Sequence, residues 1–80
     1  EPARLVFADP PYAMVEDPNQ RADLFGALEA TIGSWIAESA LVVLHHKPMP
    51  YALWPTQRMR CLDRRLYGNS QVSVFRTSKE

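Results

Sequence analysis

Cysteine is nearly absent: Cys61 stands alone in 80 residues. No intrachain disulfide can form, and a reducing, cytoplasmic setting fits such a chain. Glycine is scarce as well. Gly26, Gly33 and Gly68 are the only three, and no two of them are spaced as G-x-G. The sequence therefore lacks a glycine-rich turn of the kind that cradles a dinucleotide phosphate. Long apolar runs are missing too. The longest, Ala40 to Leu44, falls far short of a bilayer-spanning helix, so no membrane partner is expected. Net charge is zero, with nine basic and nine acidic side chains. Bulk electrostatics gives no argument for a nucleic-acid partner.

What is present is ordinary in amount and uneven in layout. Apolar content of 46% and charged content of 22% suit a globular domain. Eighty residues make one domain at most, and such a domain is marginal alone. Residues 1–40 carry two basic and seven acidic side chains, whereas residues 41–80 carry seven basic and two acidic. The C-terminal half could thus face phosphate, or each half could simply display its own solvated surface. The chain lacks an initiator methionine and reaches a strand within a few residues. It reads as a fragment or the second half of a larger protein.

The spacing predicts four strands and one long helix. Arg4 to Ala8 reads as a short buried strand, continuous and apolar as parallel strands are. Residues 9–19 read as a loop. Asp17-Pro18-Asn19-Gln20 is a helix start, with Asp17 as the N-cap and Pro18 in the first helical position. The helix is predicted to run to about Glu38, with Leu24, Phe25, Leu28, Ile32, Trp35 and Ile36 on its packing face. Gly33 is a candidate break. Ala40 to His45 reads as a second buried strand, parallel to the first across a right-handed crossover. Residues 46–57 read as a loop with a helical turn around Tyr51 to Trp54. Arg58 to Tyr67 and Gln71 to Arg76 read as a hairpin closed at Gly68-Asn69.

The most informative residues are Asp9-Pro10-Pro11-Tyr12, directly behind the apolar run Leu5-Val6-Phe7-Ala8. Two prolines remove two backbone donors and fix two φ angles, so the loop is stiff. Asp9 precedes a proline and is pushed towards extended geometry, in line with the strand. A carboxylate, a free carbonyl and an aromatic are then held at the carboxyl end of a strand. Ligands bind at that end in open α/β sheets. The alternative is an ordinary rigid turn, since Pro-Pro pairs occur in many loops.

Leu5 to Tyr12 resembles motif IV, the Asp/Asn/Ser-Pro-Pro-aromatic (DPPY) loop of class I S-adenosylmethionine-dependent methyltransferases that modify exocyclic amines of nucleobases. Arg64-Arg65-Leu66-Tyr67-Gly68-Asn69-Ser70-Gln71-Val72-Ser73-Val74-Phe75 is similar to the terminal hairpin of one branch. That branch is the bacterial small-subunit ribosomal RNA guanine-N2 methyltransferases of the RsmD type. Leu41 to Lys47 fits its preceding strand. The resemblance covers nearly all of residues 1–80, but only the C-terminal half of such an enzyme. It implies an α/β fold, the C-terminal half of a Rossmann-like sheet in the order 4-5-7-6 with the last strand antiparallel. Residues 1–80 would be a partial domain holding the catalytic loop, without the N-terminal half that binds the cofactor.

The resemblance also implies roles. Asp9 and the Pro10 carbonyl would accept the two hydrogens of the amine, Pro11 would keep the loop rigid, and Tyr12 would stack on the base. Asp9 would also face the methyl-donor end of S-adenosylmethionine, the implied cofactor. The implied partner is ribosomal RNA or the assembling small subunit. The isolated 80-residue chain is expected to be inactive. Two alternatives stay open. One is a DNA adenine-N6 or cytosine-N4 methyltransferase; the other is a non-catalytic RNA-binding domain of the same fold.

Other polar residues carry weaker signals. His45 and His46 sit at the carboxyl end of the second strand, on the same edge as Asp9, where they could line the base pocket, bind metal or merely end the strand. As neighbours they point to opposite faces, so they are poor joint ligands, and no metal is expected. The family commonly has a glutamate near His45, so strand termination is the expectation for it. Arg58, Arg60 and Arg64 are expected on one face of the third strand and Arg65 on the other, contacting RNA phosphate or guarding an edge. Met59 and Cys61 are expected in the core, with Tyr67 packed beside the turn. Trp35 and Trp54 carry no role beyond packing, although Trp54 could help shape a substrate surface.

Overall fold

The structure, a computed structural model, describes residues 1–49 and 56–78, apart from the side chains of residues 12 and 13. The expected turn at Tyr51 to Trp54 lies outside the described residues. Six elements follow in order: β1 (Ala3–Ala8), α1 (Tyr12–Glu16), α2 (Pro18–Ala30), β2 (Ile36–His46), β3 (Met59–Tyr67) and β4 (Ser70–Thr77). The strands form one sheet in the order β1-β2-β4-β3. β1 and β2 are parallel, while β4 runs antiparallel to both β2 and β3. This is the expected order, with the last strand in sequence inserted between its predecessors.

Local chemistry explains the elements. Asp17 caps α2 as its sequence foretells: its Oδ1 accepts from the Asn19 and Gln20 amides at 2.8 and 3.1 Å, and Pro18 opens the helix. The hairpin closes on Tyr67 opposite Ser70, with Gly68 at φ 60° in the first central position. A two-residue turn with Gly there matches the twist of the flanking strands. Phe25 of α2 meets Phe75 of β4 edge to face, with centroids 5.7 Å apart at 82°. Val15, Ile32, Ile36, Ala40, Val42, Leu44 and Met59 complete the buried core. Cys61 packs on its margin, and burial pushes the Cys61 thiol up, as suits an inert core cysteine.

The helix ends earlier than its periodicity suggests. Thr31 caps α2, with its hydroxyl donating to the Leu28 carbonyl at 2.8 Å. Gly33 then takes φ 97°, and its amide donates to the Ile36 carbonyl at 2.7 Å. Such a φ suits glycine and turns the chain back into β2. Ile32 and Ile36 are buried, but from a loop and a strand rather than from a helix face. Trp35, expected on that face, is 79% exposed. The loop expected at residues 9–19 also contains the short helix α1.

Three further expectations need correction. β1 is not wholly buried. Val6 and Ala8 pack on the core, whereas Leu5 and Phe7 are exposed. A continuous apolar run suits a strand covered on both faces, and the described helices cover one. In β3, Leu62 is an extra residue: Cys61 pairs with Phe75 and Asp63 with Val74. This bulge resets the alternation. Arg60 faces Arg76 and Arg65 faces Val72, while Arg64 falls opposite Ser73 on the other face. Arg60 and Arg64 therefore do not share a face. Tyr67 is 60% exposed rather than packed.

Glu29 ties α2 to the start of β3. Its carboxylate accepts from the Thr56 hydroxyl and from the amides of Gln57 and Arg58. Burial pushes its carboxyl up, but those donors and the Arg58 charge outweigh it and hold the group below its ordinary value. Among the described residues, no helix is long and apolar enough to cross a membrane.

Candidate active site

β1 delivers the site. Ala8 pairs with Leu44 in parallel register, so the next residues, Asp9 and His45, stand side by side at the carboxyl edge. The Asp9 Oδ1 to His45 Nδ1 distance is 3.2 Å. Both side chains reach solvent, Asp9 at 77% and His45 at 42% exposure. A carboxylate oxygen only accepts, so the His45 Nδ1 must carry the hydrogen of this bond. Asp9, Pro10, Pro11 and His45 line an open cavity of about 430 Å³. Asp9, Pro10 and Pro11 thus sit together at the carboxyl edge of β1. The side chain of Tyr12 lies outside the described residues.

Three contacts hold the loop from behind. The Pro11 carbonyl accepts from the Met14 amide at 2.9 Å, starting α1 directly after the prolines. Arg21, buried on α2, donates from Nη1 to the Val15 carbonyl at 2.8 Å and approaches that of Glu16 at 3.4 Å. It supplies the cap that so short a helix cannot provide for itself. Lys47 and Glu16 form an ion pair at 3.3 Å, joining the end of β2 to the end of α1. None of these three residues was marked by the sequence. Arg21 bonds to backbone carbonyls, which leave no mark in the residue pattern, and Lys47 and Glu16 are ordinary surface charges.

His46 has the opposite environment to His45. It is fully buried. Its Nδ1–H donates to the Lys47 carbonyl at 2.6 Å, and its Nε2 accepts from the Ser73 hydroxyl at 2.9 Å. Gln71 Nε2 donates to the Ser73 oxygen at 3.0 Å, and Gln71 Oε1 accepts from the Met49 amide at 3.3 Å. Every donor in this chain has an acceptor when His46 is neutral. Burial pushes the His46 imidazole below its ordinary value. The Lys47 carbonyl pulls it back in part, and the charge of His45 lowers it further. Among the described residues, no three His, Cys, Asp or Glu side chains cluster as a metal site would require.

On the opposite side of β2 the edge continues into the hairpin. His45 pairs with Val72, and Val72 pairs with Arg65, so His45 and Arg65 share a face and a row. Arg65 Nε donates to Asp63 at 3.0 Å, and the Arg65 guanidinium holds the Asp63 carboxyl below the usual range. Tyr67 lies two residues further along the same strand.

Comparison with solved structures places this architecture. The Escherichia coli protein yhhF, provisionally described as a methyltransferase, superposes with a TM-score of 0.69 at 18% identity. A Haemophilus influenzae protein, HI0767, provisionally described as a methylase, gives 0.62 at 16%. The chain has a methyltransferase-like fold. A conserved hypothetical protein of Streptococcus pyogenes gives 0.67 at 23%. These alignments cover 96–99% of this chain but only 40–48% of the other chains, so it spans less than half the length of the proteins it resembles. No family model and no curated protein matches at the level of sequence.

Proposed function

We propose that this chain carries the catalytic edge of an S-adenosylmethionine-dependent methyltransferase. Its substrate is the exocyclic amine of guanine in small-subunit ribosomal RNA, and it works as part of a longer parent. One observation carries the reading. Asp9 presents an exposed carboxylate, on a backbone fixed by Pro10 and Pro11, at the carboxyl end of a parallel strand in a methyltransferase-like fold.

The chemistry follows from the amine. Its lone pair is delocalised into the ring and must be turned towards an electrophile. Asp9 and the Pro10 carbonyl accept the two amine hydrogens and hold the nitrogen in that orientation. The carboxylate also stabilises the positive charge that develops on nitrogen. S-adenosylmethionine supplies, when bound, an electrophilic methyl group on a sulfonium. As the nitrogen–carbon bond forms and the sulfur–carbon bond breaks, the surplus amine proton leaves towards Asp9 and solvent. The base must leave its stack to reach this edge. The resemblance assigns Tyr12 to its face, where stacking is worth roughly 1–3 kcal/mol.

The residues present suit the methyl-donor end of the cofactor. A carboxylate opening into the cavity beside the two prolines complements a sulfonium cation. The rest of the parent would supply the ribose and adenine contacts and cover the sheet face bearing Leu5 and Phe7. Alone, the 80-residue chain is then inactive and binds the cofactor weakly; a micromolar Kd by calorimetry would overturn this. The RNA assignment draws on the hairpin resemblance and on Arg65 and the exposed Tyr67 near the same edge. The deciding experiment offers labelled S-adenosylmethionine, small ribosomal subunits and duplex DNA to the full-length parent. N2-methylguanosine in ribosomal RNA is expected. Methyladenine or methylcytosine in DNA would discard the RNA assignment, and no label in either would discard the catalytic reading.

A further inference from the structure

We propose that His45 is a positioning residue for the Asp9 carboxylate, an inference that rests on the methyl-transfer reading. The prolines fix the Asp9 backbone but leave its side chain free to rotate. With 77% of that side chain exposed, no packing restrains it. Among the described residues, the side chain that meets Asp9 is His45, at 3.2 Å.

His45 is suited to the task by where it sits. β2 is paired on both sides, with β1 through Leu44 and with β4 through His45 itself. Its neighbour His46 is buried and bonded at both ring nitrogens. The backbone that carries the His45 ring is therefore held from three directions. Nδ1–H of the ring binds Oδ1 of Asp9. That fixes the carboxylate plane and leaves Oδ2 to accept the amine hydrogen, beside the Pro10 carbonyl. An unoriented carboxylate would spread its acceptors over several directions. Misplacing one acceptor by an ångström is enough to lower a rate about 100-fold.

The strand-terminating reading of His45 makes a different forecast, and the two separate cleanly. Single-turnover and steady-state methylation are measured on the full-length parent with His45→Ala, His45→Asn and Asp9→Ala. The positioning role expects His45→Ala to lower kcat about 10- to 100-fold with KM for RNA unchanged. His45→Asn should recover most of that loss, because the asparagine amide places a donor near the position of Nδ1. Nitrogen-15 spectra of the histidine rings give a readout without turnover. Native His45 should be the Nδ1–H form, and Asp9→Ala should abolish that preference. Full activity in His45→Ala, or no recovery in His45→Asn, overturns the positioning role while leaving the methyl-transfer reading intact. Full activity in Asp9→Ala overturns both.

Discussion

The two faces of the sheet are made by the same strands and treated in opposite ways. One face carries Val42, Leu44, Ser73 and Phe75 beneath the helices, and all four are buried. The other carries Leu5 and Phe7, which the described residues leave exposed. His45 and His46 condense the difference into two adjacent residues. His46 turns inward and closes a polar chain that pins residues 47–49 to β4. His45 turns outward and meets a carboxylate. Alternation along a strand thus separates a structural histidine from one available for chemistry.

The contrast can be broken at its strongest point by Phe25→Ala. This removes the ring packed on Phe75, and a loss of about 3–5 kcal/mol is expected in denaturant unfolding. Ser73→Ala is next. It strips His46 Nε2 of its donor and Gln71 Nε2 of its acceptor, and should cost about 1–3 kcal/mol. Acid should act on the same face. The folded value of His46 is depressed, so its contribution to stability is present above the ordinary 6.5 and is lost as pH falls through the folded value. Unfolding midpoints measured on either side of 6.5 should show this loss, and His46→Gln should lack it. In the 80-residue chain by itself, Phe7→Ser, on the exposed face, should change stability by no more than about 0.5 kcal/mol. A large loss there would mean that the exposed face is covered in solution.

The legible parts of this fold are those set by local chemistry. The cap at Asp17, the turn at Gly68 and the buried run of β2 follow from residue types at fixed spacing. Strand order came through resemblance, because no local signal tells β4 to enter between β2 and β3. The end of α2 is hidden from periodicity because Ile32 and Ile36 keep the helical period while leaving the helix. The two sides of β3 depart from simple alternation because of a bulge that residue types do not announce. In the candidate site, Asp9, Pro10 and Pro11 could be placed from sequence, since prolines dictate backbone shape wherever they fall. The contact of His45 with Asp9 could not be placed. It depends on the register between two strands that lie 36 residues apart at that contact. Arg21 was hidden for a similar reason, since its partners are backbone carbonyls.

The extra residue in β3 gives the hairpin slack. Leu62 is carried outside the ladder, between the pairs Cys61–Phe75 and Asp63–Val74. Excising it would shorten the strand without moving any cross-strand partner, so Arg64 would still face Ser73 and Arg65 would still face Val72. Cross-strand proton contacts in such a deletion variant should match those of the parent. The chain can therefore lose a residue here while the side chains at the hairpin tip stay in phase.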